Sequence, residues 1–150
     1  MLELSCKWQM AKIQETAVKQ ILELQDLVRV NVQEDLLRLA NKLGIVEIRN
    51  KAIEKLTSLF LPVESLIQLG NELQAGSLVI YGYKRLVEMK GGISEEHEKR
   101  LGQKTTSKLF RIREAYLQEL RGKGYSFRLT ENKIKEEFAE ELEAIVWVGN

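Results

Sequence analysis

The 150-residue chain carries 23 basic and 22 acidic side chains, a net charge of +1, with 44% hydrophobic residues, one proline, one cysteine and one histidine. Such a composition is one domain's worth of globular protein and excludes whole-chain disorder, and no apolar run approaches the roughly 18 residues that cross a bilayer. A lone Cys6 forms no internal disulfide, and Cys6 with His97 makes no zinc set.

Scarce proline among many Leu, Glu, Lys, Gln and Ala favours helices, because proline removes a helical donor and clashes with the preceding turn. In the first segment Cys6, Met10, Ile13, Ala17, Ile21, Leu24 and Val28 step by three and four, one face of a long helix. Val18, Leu22 and Leu27 widen that stripe beyond a strict two-stranded seam, which suits packing in a bundle, though an exposed long helix could also dimerise. Asn31 and Glu34 have the spacing of a capping box, and Gly44 ends the helix that follows through a left-handed turn. The third helix, Ile45 to Leu61, is expected to turn Ile45, Ile48, Ala52, Leu56, Leu59 and Phe60 inward. Pro62 suits the first turn of a fourth.

"AGSLVIYGYKRLVEMKGG" reads as a helix capped by Ser77, interrupted or closely packed at Gly82 and ended by Gly91 and Gly92, since an isolated strand has no pairing partner. Ser94 caps the next helix, with Glu95 and Glu96 at its positive end. Thr105 to Ser107 offer a further cap, ahead of Leu109, Ile112, Tyr116 and Leu120 on one face. Thr130 caps a last helix whose Ile134, Phe138, Leu142 and Ile145 recur at helical spacing. The expectation is a compact all-α bundle of about six to eight helices, a single domain over residues 1–150.

Little in the chain suggests catalysis, which gathers titratable groups. His97 lies between carboxylates in "SEEHEK", on what reads as a solvated turn. "GQKTTS" (Gly102 to Ser107) lacks the earlier glycine and the preceding strand of a P-loop. No enzyme, metal or cofactor is expected. The opening lacks a charged leader followed by an apolar core, so a soluble cytoplasmic protein is expected.

Charge, however, is segregated. Lys99 to Arg128 hold nine basic residues and two acidic ones, while the 22 residues after them hold two basic and six acidic. On one continuous helix Arg100, Lys104, Lys108 and Arg111 fall within about 80°. Beyond them, Arg113, Arg121, Lys123 and Arg128 continue the block, with Tyr125 and Phe127 interleaved as in surfaces on which single strands stack. These eight residues are the candidate nucleic-acid-binding set. Glu136, Glu137, Glu140, Glu141 and Glu143 offer the opposite outcome, an acidic helix that neutralises the basic one internally.

"LLRLANKLGI" (Leu36 to Ile45) fits the first helix and turn of a helix-turn-helix, with Arg49, Asn50 and Lys51 as recognition candidates. In size and texture the chain resembles the small all-α subunits of multi-protein nucleic-acid complexes, such as those of CRISPR effector complexes, a likeness of architecture. That resemblance implies a non-catalytic subunit following an RNA or DNA backbone, with apolar helix faces holding neighbouring subunits. A protein-interaction or homo-oligomeric module without nucleic acid is the alternative, and a helix-turn-helix regulator a further one.

Overall fold

One proline in 150 residues leaves the chain free to turn helix after helix. The computed structural model describes residues 2–24, 29–122 and 127–147, with side chains described over 7–24, 29–122 and 130–147. Among the described residues there are nine helices and no strand. Where one domain was expected, the fold gathers into two units, divided in the chain between Leu59 and Phe60.

The first unit holds α1 (Leu2–Leu24), α2 (Val30–Leu43) and α3 (Val46–Ser58). Helices α2 and α3 form a hairpin around Gly44, whose φ of 70° is the left-handed conformation that glycine adopts without a Cβ clash. Leu37 and Ala40 of α2 are buried, as are Ile48, Ala52, Ile53 and Leu56 of α3. The expected capping box is not formed: α2 starts at Val30, so Asn31 stands inside its first turn, and Arg29 is the cap without a side-chain bond.

Helix α1 packs on α3, where the Lys51 ammonium donates to the Leu22 carbonyl at 2.5 Å. Val18, Ile21 and Leu22 are half-buried there, but Met10, Ile13 and Leu24 are 72%, 68% and 60% exposed. The apolar stripe expected to pack in a bundle or to dimerise is therefore covered along one margin only. The side chains of Cys6, Leu27 and Val28 lie outside the described residues.

The second unit holds α4 (Val63–Glu72), α5 (Gly76–Glu88), α6 (Glu95–Leu101), α7 (Gln103–Arg121), α8 (Phe127–Glu137) and α9 (Ala139–Glu143). Phe60, expected inside, is fully exposed. Pro62 sits one position before α4 rather than in it, its carbonyl accepting from the Leu66 amide. The apolar run around Gly82 is helical as expected, beginning after Ala75 rather than at a Ser77 cap.

Helices α4 and α5 interlock through two glycines. A Cβ on Gly70 would stand 2.5 Å from Val79 Cγ2 and 2.9 Å from the Val79 backbone nitrogen; one on Gly82 would stand 2.6 Å from Ile67 Cγ1. Helix α5 also packs against α7 and α8, which places Tyr83, Leu86 and Val87 in one core with Leu109, Ile112, Ile134 and Phe138.

Ser94 caps α6 as expected, its hydroxyl accepting from the His97 amide while its own amide donates to His97 Nδ1. Helix α7 begins at Gln103, directly after Gly102 (φ 84°), so Thr105 to Ser107 are helical rather than a cap. Thr106 is buried and its hydroxyl donates back to the Gly102 carbonyl at 2.8 Å. Thr130 likewise lies within α8, and Leu120 is 49% exposed instead of inward.

Gly70→Ala is expected to destabilise the protein by about 1–3 kcal/mol, because the clash is with backbone as well as side chain. Gly91→Ala, with nothing within 4 Å of its Cβ, serves as the control. Thermal unfolding of the two variants gives the comparison; equal midpoints would contradict the interlock.

Candidate functional site

Lys104, Lys108 and Arg111 are four and three residues apart in α7, so they share one side of that helix. On the second unit's α8–α9 segment, Glu137 and Glu141 are also four apart, either side of Phe138, where φ of −110° and ψ of 20° break the helix. The two series meet. Lys108 Nζ donates to the Glu137 carbonyl at 2.6 Å and to Glu141 Oε1 at 2.7 Å, and lies 4.9 Å from the centre of the Phe138 ring. Its side chain is only 15% exposed. A cation on a carbonyl at a helix C-terminus is favoured by the helix dipole, so Lys108 both caps α8 and anchors α9.

The flanking cations are held loosely. Lys104 Nζ is 3.9 Å from Glu141 Oε1, and Arg111 Nη2 is 3.9 Å from Glu137 Oε2, with side chains 78% and 67% exposed. Exposed pairs of this kind contribute roughly 0–1 kcal/mol. The hydrogen bond from Lys108 is the main reason the Glu141 carboxyl is held below the usual carboxylate range. Burial, together with the Glu141 charge, pushes the Tyr83 hydroxyl up to about 12. The Tyr83 ring packs on Phe138 with centroids 4.5 Å apart.

The rest of the candidate set points elsewhere. Gly102 separates Arg100 from the α7 row, and Arg100 instead pairs with Glu96 at 2.7 Å within α6. Arg113 is two residues beyond Arg111, about 200° around the helix. Its guanidinium donates to the Val87 carbonyl and lies beside Gly92. With Arg121, Phe110 and Leu117 it lines a groove of about 530 Å³. Lys123, Tyr125 and the side chains of Phe127 and Arg128 lie outside the described residues, and with them the basic–aromatic interleaving.

His97, expected on a solvated turn, is 14% exposed, and its Nε2 lies 3.1 Å from Glu64 of α4. In the α2–α3 hairpin, Leu39 and Leu43 are 46% and 56% exposed where a helix-turn-helix would bury them. Arg49 Nε donates to Asn41 Oδ1 at 2.9 Å, and burial lowers its pKa. Lys51 is engaged on α1. Two of the three recognition candidates thus bind the unit's own atoms.

Sequence reasoning passed over Lys84 of α5, which is 6% exposed and whose pKa is lowered by burial against the opposing pull of Glu88 and Glu131. Its position inside "VIYGYKRLV" was the available signal, since a helix apolar on all sides buries whatever it carries. Among the described residues, no three His, Cys, Asp or Glu side chains gather as a metal site.

The described residues define an all-α protein in which no helix is long and apolar enough to cross a membrane. No protein-family model, curated protein or solved structure matches the chain.

A group whose folded pKa is depressed stabilises the fold above its unfolded pKa and loses that contribution as pH falls through the folded value. The Glu141 contribution should therefore be intact above about pH 4.5 and vanish on further acidification. Acid unfolding monitored by circular dichroism should show a shallower limb for Glu141→Gln than for the parent. At neutral pH, Lys108→Ala should cost about 1.5–3 kcal/mol, as for hydrogen bonds to charged groups, and Lys104→Ala no more than about 0.5 kcal/mol. Equal losses in chemical denaturation would contradict the anchoring role of Lys108.

Proposed function

We propose that the chain is a non-catalytic assembly module that pairs with a second copy of itself through α1. The carrying observation is the uncovered row of Met10, Ile13 and Leu24, 60–72% exposed on a helix whose other margin already packs on α3. Large apolar side chains gathered along one side of a helix are seldom left in water.

The pattern favours a like helix as the occupant. Met10, Ile13, Ala17, Gln20 and Leu24 follow the a/d steps of a coiled coil, and Gln20 gives the seam one polar layer that fixes register. A groove of about 570 Å³ along Ile13, Thr16, Ala17 and Gln20 is the kind of hole a facing knob fills. Gln9, Gln14 and Thr16 flank the middle of the seam without charge, while Lys12 lines the same groove and Lys7 and Glu23 flank its ends. Closed two-fold pairs are the commonest soluble assemblies, and they use one patch twice.

Sedimentation equilibrium tests the reading. The parent chain should sediment as a dimer, and Ile13→Asp/Leu24→Asp as a monomer with unchanged helical content. A parent chain that sediments as a monomer would sink it, as would a double variant that stays dimeric.

A further inference from the structure

We propose that α8–α9 masks a face on α7 that binds a nucleic-acid backbone, with Glu137 and Glu141 standing where its phosphates would otherwise bind. This goes beyond self-association through α1 and rests on different residues in the other unit.

Lys104, Lys108 and Arg111 form a row with steps of about 6 Å and 4.5 Å along the helix axis, given a rise of 1.5 Å per residue. Two carboxylates of the same chain already occupy that row as anions, at 2.7 Å from Lys108 and 3.9 Å from Lys104 and Arg111. The row starts in the first turn of α7, which has no acidic residue and no side-chain cap. Its free amides and positive dipole end favour a further anion beside Lys104.

The three cations are not held alike, and the difference leaves two of them able to change partner while the segment stays anchored. Lys108 is fixed by the Glu137 carbonyl as well as by Glu141, so it remains the anchor of the segment. Lys104 and Arg111 are largely exposed and contact their carboxylates only at 3.9 Å, so they can turn to another anion without unmaking a close hydrogen bond. The segment itself stays seated, with Ile134 and Phe138 in the core and Leu142 packed against it, so only the exposed side chains have to move. A polyanion offering several phosphates competes on better terms than two carboxylates, since each neutralised phosphate also releases counterions.

The test compares full-length proteins by fluorescence anisotropy with a labelled oligouridine strand. Glu137→Gln/Glu141→Gln should bind about tenfold more tightly than the parent at low salt, with a log–log salt slope steeper by about 1.4 for two phosphates gained. Glu136→Gln/Glu140→Gln makes the same change in net charge away from these contacts and is the control. An equal gain in the control, or no gain in the first variant, would overturn the proposal. Adding Lys104→Gln and Arg111→Gln to the unmasked variant should return its affinity to the parent's; a persisting gain would place the site elsewhere and overturn it too. Glu137→Gln alone leaves the Lys108 anchor intact, and carries the same expectation at smaller amplitude should the double variant not fold.

Discussion

Two glycines set how close α4 and α5 lie, and the arrangement of the second unit follows from that approach. With no Cβ on Gly70 or Gly82, Val79 and Ile67 press against the opposite helix backbone. Helix α5 is thereby fixed as the surface on which α7 and α8 both rest. Tyr83 and Val87 of α5 then meet Leu109 and Ile112 of α7 and Ile134 and Phe138 of α8 in one core. The contact between basic and acidic side chains is a consequence of this packing: α7 and α8 meet because each buries its apolar side against α5 and the other. Their charged margins are left side by side.

Lys108 shows how one residue can serve several physical needs. The break at Phe138 frees a backbone carbonyl at Glu137, and an ammonium close by satisfies it. The same ammonium holds Glu141 and lies over the Phe138 ring. Lys104 and Arg111, one turn to either side, lack such a set of partners and remain mostly in water. A row that looks uniform on a helical projection is therefore one structural cation flanked by two available ones. That asymmetry is what would let stable packing and the proposed anion binding share a surface.

The first unit poses a different problem. Its α2–α3 hairpin buries a continuous apolar set, but α1 brings more apolar surface than α3 covers. A helix apolar over about half its circumference needs neighbours on two sides. Within its own unit α1 has α3 on one of them, and the proposed second copy would supply the other.

Much of the architecture was legible along the chain because helices follow from local chemistry. Spacing by three and four marked the long helices, Gly44 marked the hairpin turn, and Ser94 marked a helix start, since each acts on atoms within one turn of itself. Gly82 stood out for a related reason, as a glycine inside a helix marks an interruption or a close approach, and the packing against Ile67 decided for the second. What sequence could not decide was which apolar and charged margins would be covered. Leu24 and Phe60 have the same chemistry as Leu56, yet only Leu56 is buried, because burial depends on which helix arrives opposite. Lys104 and Lys108 are likewise equivalent on a helical wheel. Only the tertiary fold, by setting the α8–α9 break beside Lys108, made one an anchor and left the other exposed.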